Sequence, residues 1–263
     1  SFTNWSGMTD DWEWVGLNNY IRIFTNMPEY WRAMKVNVIY ALIATAVQLT
    51  LGFLLAVLVI NMRPRWQSFY KIALYLPVII PAAAISVMWR YIYTPEYGLI
   101  NQFLRAIGLE ELCRAWTADP DTALGAVIVT NTWRYAGFTM VLYYVAMLDI
   151  PKDVLESAQI DGANRANILF QIMLPIASGP IVAVCVLQAI NVWNDYSTPF
   201  LFMPSHKTLA VGLQRLQGEL SGRGGNYPGI FAAVIIAVLP IFVLYACFQK
   251  KIMENTVAGG LKG

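Results

Sequence analysis

Charge is scarce in this sequence. Only 13% of its 263 residues are Asp, Glu, Lys or Arg, against about 25% in a soluble domain. A net charge of +2 leaves no broad basic surface, so nucleic acid is not an expected partner. The three cysteines, Cys113, Cys185 and Cys247, have no paired spacing, which excludes a disulfide framework and a cysteine metal motif. Cys185 and Cys247 fall inside apolar runs and read as small core residues. The single histidine, His206, sits in a polar stretch and reads as a solvated loop residue; no metal site is expected. No phosphate-binding GxxxxGK[ST] motif occurs, so ATP hydrolysis is not expected of this chain. No His cluster, Cys pair or nucleophile motif points to an enzyme.

Apolar residues fill the space that charge leaves. They make up 57% of the chain, with a mean hydropathy of +0.51. They gather in runs near the roughly 20 residues that cross a bilayer core of about 30 Å. The runs predict an all-α, polytopic helical membrane protein of about five spanning helices. These cover Met34 to Ile60, Tyr70 to Tyr93, Ala123 to Leu148, Ile176 to Phe202 and Gly229 to Gln249. A turn at 61–69, loops at 94–122 and 203–228, and a tail from Lys250 fill the remainder. Residues 1–263 read as one transmembrane domain, with a distinct polar segment at 151–175. Pro77 and Pro81 predict kinks in the second span. Leu99, Ile100, Phe103, Leu104 and Ile107 predict a short amphipathic helix at the outer interface, in a packing role. Trp89, Tyr91 and Tyr93 read as interface anchors.

Polar side chains at membrane depth are candidate functional residues, because burying them is costly unless they are paired. The fourth span carries Gln188, Asn191 and Asp195 at i, i+3 and i+7, a spacing that predicts one shared face. Trp193, Asn194 and Tyr196 lie beside them. The third span carries Asn131 and Arg134 next to Trp133 and Tyr135. Amides and charges pair with hydroxyls, and aromatic rings stack on C–H faces, so these residues suit a sugar pathway. Hydrogen bonding between helices is the competing explanation for the amides. A rise of 1.5 Å per residue puts Arg134 and Asp195 roughly 15 Å apart in depth, too far for a salt bridge without tilt or unwinding. Asp195 is then expected to face water.

The segment between the third and fourth spans is the most specific part of the chain. Pro151 suits a helix start, and Asp153 and Glu156 oppose the positive helix end. Ser157, Ala158 and Ala163 are small enough to sit close to another protein. Gly162 permits a sharp change of direction. Ile168, Leu169, Ile172 and Met173 lead back to the membrane at Pro175. The pattern runs Glu156-Ser157-Ala158, three residues, Gly162, nine residues, then Ile172-Met173-Leu174-Pro175. It resembles the EAA signature of permease subunits of type I ABC importers, with Ser157 in place of an alanine. IPKDVLESAQIDGANR looks like the carbohydrate, maltose-type branch. FTNWSG with WVGLNNYIRIF resembles the first permease subunit of that branch, whereas NVWNDYSTPFLF, TLAVGLQ and GGLKG resemble the second.

The resemblance implies that Glu156, Ser157, Ala158, Asp161, Gly162, Ala163, Leu174 and Pro175 belong to a cytoplasmic coupling element that docks on an ATPase. It implies a second permease subunit, two ATP-binding cassette subunits that hold ATP and magnesium, and an extracytoplasmic sugar-binding protein. No cofactor is expected in this chain itself. A bacterial inner-membrane location follows, as does a further helix ahead of Ser1. Basic residues divide almost evenly between the two sides, so charge alone leaves orientation open; the coupling segment sets its own side as cytoplasmic. The competing readings are the same fold carrying a non-sugar solute, and a secondary transporter or channel that needs no ATPase.

Overall fold

A computed structural model describes residues 1–6, 11–148, 150, 153–154, 157–158, 162–164, 167–176, 178–203, 208–221 and 227–260. Among them the regular structure is helical, apart from one isolated antiparallel pairing between Thr3 and Trp14. A short α1 (Asn18–Asn26) precedes α2 (Pro28–Ile60). At 33 residues α2 runs for about 50 Å, more than a bilayer core. Then come α3 (Pro64–Ile79), α4 (Ala82–Ile92), α5 (Leu99–Ala106) and α6 (Pro120–Leu148). After the polar segment follow α7 (Ser178–Trp193), α8 (Ser197–Phe202), α9 (Leu209–Ser221) and α10 (Tyr227–Gly260).

Two helices are long and apolar enough to cross a membrane alone: α2, and α10 over Tyr227–Lys250. Only 28% and 22% of their most apolar stretches are buried, so most of each faces outward. The pair α3 and α4 would make a third span. At 29 residues α6 has the length, but Asn131, Thr132 and Arg134 interrupt its apolar run.

Three expected boundaries shift, each for a local reason. The second span is not one kinked helix. Pro77 stays inside α3, while Ile80 and Pro81 are extended, with ψ of 132° and 138°. The ring of Pro81 disfavours the helical region for the residue before it, so the break falls at Ile80. The fourth span ends at Trp193 rather than Phe202, and α8 begins afresh at Ser197. The region expected as a loop at 203–228 contains α9.

The amphipathic α5 forms where its periodicity places it. Leu99, Phe103 and Ile107 are all exposed, whereas Asn101 is buried. The Asn101 amide donates to the carbonyls of Pro95 and Arg114, and its Oδ1 accepts from Trp116 Nε1 at 2.8 Å. A polar clamp, not an apolar face, holds this element to the chain.

The described residues divide into two compact units, to which α2, α6, α7 and α10 each contribute. One comprises 1–43, 81–131 and 191–243. Its core joins Ile23, Tyr30, Leu209, Ala232, Ala233, Ile236 and Ala237, and the Tyr30 hydroxyl donates to the Ala233 carbonyl at 2.8 Å. The other comprises 44–80, 132–190 and 244–263. Its core joins Ala56, Val59, Met140, Tyr143, Tyr144 and Met147. Here glycine sets the helix spacing. A Cβ on Gly52 would lie 2.7 Å from Thr139 Cγ2, and one on Gly137 would overlap the Leu74 carbonyl of α3. Apolar surface gives helices in lipid no hydrophobic reason to associate, so small residues that admit close backbone approach do that work.

Gly137→Ala is therefore expected to destabilise the protein by about 1–3 kcal/mol, as overpacking does. Gly125→Ala, in the same helix with open space around it, is expected to be neutral or stabilising by about 0.5–1 kcal/mol. Thermal unfolding of the detergent-solubilised variants measures both.

Candidate functional site

Two regions collect the chemistry that the sequence singled out. The first is the polar segment before α7. Ser157 is exposed, and its hydroxyl donates back to the Asp153 carbonyl at 2.8 Å. Ala158 is buried within the chain, so its smallness serves close packing here rather than an outward surface. Gly162 has φ of +79° and stands exposed. The Ala163 N–H reaches the Ala158 carbonyl at 3.0 Å. That bond spans six residues and closes over a left-handed glycine, which is the Schellman termination of a helix. A Cβ at Gly162 would meet nothing within 4 Å. The glycine is needed for its backbone conformation, not for room.

The next helix starts at once. Asn164 caps it: Oδ1 accepts the Asn167 N–H at 2.8 Å, and the Asn164 carbonyl accepts the Ile168 N–H at 3.0 Å. Ile168–Met173 forms a π-helical turn, closed by the Leu174 N–H on the Leu169 carbonyl. The widened turn sits directly before Pro175, which has no N–H to continue the ladder. Leu174 lines a narrow crevice with Phe53, Tyr143, Met147 and Ile181, and Pro175 is exposed. Glu156 and Asp161 lie outside the described residues. Asn164 escaped the sequence reading, although an Asn two residues after a glycine is a recognisable cap signal.

The second region surrounds the end of α7. The helix stops at Trp193, whose carbonyl accepts from Asn37 Nδ2 of α2 at 3.3 Å. Asp195 then gathers three donors. Its Oδ2 accepts from the Tyr40 hydroxyl at 2.7 Å and from Asn131 Nδ2 at 2.8 Å, while its Oδ1 accepts the Thr198 N–H at 3.2 Å. Asp195 is half-buried and hydrogen-bonded, where the sequence suggested a water-facing carboxylate. Arg134 lies 5.1 Å from the Tyr135 ring centroid, with its Nε buried and unpartnered. The one ion pair among the described residues is Arg32 with Glu29.

The expected shared face of Gln188, Asn191 and Asp195 does not hold. Gln188 is buried and bonded to Gln48; Asn191 is exposed; Asp195 lies beyond the helix end. The helix break after Trp193 removes the register on which that spacing depended. Tyr196 stacks on Phe200 at 5.0 Å. Trp193 and Asn194 line a cleft of about 260 Å³ together with Gln214 and Gln217 of α9 and Ile230, Val234 and Val238 of α10. The two glutamines were missed because α9 itself was read as loop. Asn37, Tyr40, Ala44 and Gln48 are all fully buried. Their spacing of i, i+3, i+7 and i+11 marks one helix face, a signal present in the sequence.

Comparison with known proteins agrees with this architecture. The family described as "Binding-protein-dependent transport system inner membrane component" matches residues 48–254. A probable ABC transporter permease protein, YurN of Bacillus subtilis, is 33% identical, with 97% of this chain and 87% of the relative covered. The diacetylchitobiose uptake permease NgcF of Streptomyces coelicolor is 25% identical, over 99% and 76%. The lactose transport permease LacF of Rhizobium radiobacter is also 25% identical, over 90% and 82%. Among solved structures, a bacterial ABC transporter that imports alginate superposes with a TM-score of 0.79 at 21% identity, covering 90% of this chain and 84% of that one. The methionine transporter MetNI gives 0.63 at 17% identity, over 88% and 99%. A glycine-closed turn between helices, set in a sequence that matches the family over most of its length, leads to one assignment: the chain belongs to the inner membrane component family of binding-protein-dependent transport systems, whose members are multi-pass ABC importer permeases rather than enzymes.

Proposed function

We propose that this chain is a permease subunit of an ATP-driven, binding-protein-dependent sugar importer of the bacterial inner membrane. The observation that carries the reading is the Gly162 turn. A bond from Ala163 back to Ala158 over a left-handed glycine, followed by a helix capped by Asn164, forms a compact turn. Such an element suits docking on an ATPase. The proposed partners are two ATP-binding cassette subunits, which bind ATP and magnesium, together with a second permease subunit and an extracytoplasmic binding protein.

The cargo reading rests on the cleft at Trp193 and Asn194. An indole ring beside the amides of Asn194, Gln214 and Gln217 offers a stacking surface and neutral hydrogen-bonding groups, the combination that sugars use. Relatives named for diacetylchitobiose and lactose point the same way. A non-sugar cargo is the second reading, because the methionine transporter shares the fold. A transporter independent of any ATPase would leave the Gly162 turn without a role.

Import would proceed by alternating access. ATP and sugar drive transport only if both bias the same two conformations. The turn at Gly162 would carry the ATPase motion into the membrane helices through the π-helical turn and Leu174.

Three outcomes test this reading. Gly162→Val is expected to lower sugar uptake at least tenfold while the complex still assembles and hydrolyses ATP. Because the site is open and only φ is restrictive, Gly162→Asn is expected to retain more uptake than Gly162→Ala, since Asn tolerates the left-handed region better. Uptake and ATPase rates in proteoliposomes measure both. Asn194→Leu is expected to raise the KM for sugar several-fold with assembly intact, read from uptake of a radiolabelled disaccharide. Uptake of a labelled amino acid instead would sink the sugar assignment.

A further inference from the structure

The break between α7 and α8 demands an explanation of its own. A helix that stops frees backbone groups that need new partners, the more so where lipid would surround them. Here α2 meets two of the needs from one face. Asn37 and Tyr40, at i and i+3 and both fully buried, reach the Trp193 carbonyl and the Asp195 carboxyl. Asn131 of α6 reaches the same Asp195 oxygen, and the other oxygen takes a free N–H in the first turn of α8, that of Thr198. A turn bond from the Asp195 N–H to the Val192 carbonyl at 3.2 Å completes the joint.

Every one of these side-chain partners is a donor, so the carboxyl group acts wholly as an acceptor. It has two oxygens and three donors arranged on them. Asp195 is therefore engaged by the protein, and its neighbours Trp193 and Asn194 are the residues that line the cleft.

We propose that Asp195 is a positioning residue rather than a cargo ligand: held by Tyr40 and Asn131, it pins the break between α7 and α8 and so orients Trp193 and Asn194 at the cleft. The pin ties three helices to one side chain. Losing either Tyr40 or Asp195 removes the same bond between α2 and the joint, so for that bond the two residues act as a unit. The claim about cargo affinity rests on the sugar-import reading above; the claim about the joint does not.

The test uses the assembled importer in proteoliposomes, with Cys113, Cys185 and Cys247 replaced by Ala and Asn194→Cys as a reporter. A membrane-impermeant maleimide reports how freely residue 194 moves into reach. Tyr40→Phe and Asp195→Asn, both close in shape to the native residues, are each expected to change the labelling rate about tenfold, the effect of losing one hydrogen bond to a charged group. The double variant is expected to go no further than either single one. In the native-Asn194 background, both single variants are expected to raise the KM for disaccharide by similar factors with kcat little changed. If Tyr40→Phe leaves labelling and KM untouched while Asp195→Asn raises KM, Asp195 is a direct ligand and the proposal fails. Additive effects in the double variant would overturn it as well. A parent importer that carries no sugar would defeat the functional reading alone, because the labelling experiment needs no cargo.

Discussion

Backbone hydrogen bonding is the constraint on which this structure turns. In lipid no water is present to meet a freed N–H or C=O, so each interruption of a helix must bring its own partners. The chain interrupts its helices repeatedly and supplies the partners in different ways. At Gly162, in the polar segment between the spans, the chain also closes on itself, through Ala163 and Ala158. At the end of α7 the partners come from other helices, through Asn37, Tyr40 and Asn131. At α5 a single buried asparagine meets backbone and indole groups around it. Buried amides are expensive in apolar surroundings unless bonded; some of them serve helix breaks, as Asn37 and Asn131 do, while Gln48 and Gln188 bond to each other between regular helices.

The distribution of small residues complements that rule. Gly52 and Gly137 are not at turns; they lie in the middle of long helices, where intrinsic propensity disfavours them. Their cost is offset by contact with Thr139 and with the Leu74 carbonyl at distances no side chain would allow. In the other unit Ala232 and Ala233 play a similar part beneath Tyr30. Close backbone approach and buried amides thus divide the task of holding helices together where the hydrophobic effect cannot.

Much of this was legible in the sequence. Long apolar runs identified the helical membrane class, and the spacing around Gly162 located the turn whose left-handed glycine the structure contains. The amphipathic period found α5. What escaped was every feature that depends on where a helix stops inside an apolar run. The run through Trp193 to Phe202 does carry a break signal in Asn194, Asp195, Ser197, Thr198 and Pro199; reading these residues as span and pathway lining passed over it, and the face predicted for Gln188, Asn191 and Asp195 dissolved with the register. The i, i+3, i+7, i+11 set on α2 was visible, but its meaning depends on contacts with Trp193 and Asp195, more than 150 residues away. Burial of Ala158 likewise depends on neighbours that local pattern does not name.

The turn at Gly162 is complete without outside help. Its glycine already sits in the left-handed region, and its helix ends are bonded to Ala158 and to Asn164. A protein that engages it meets a backbone turn whose conformation is set in advance at Gly162, Ala163 and Asn164. Little conformational entropy remains to be lost at the moment of contact, and preorganised surfaces of this kind bind with more of their contact energy expressed as affinity.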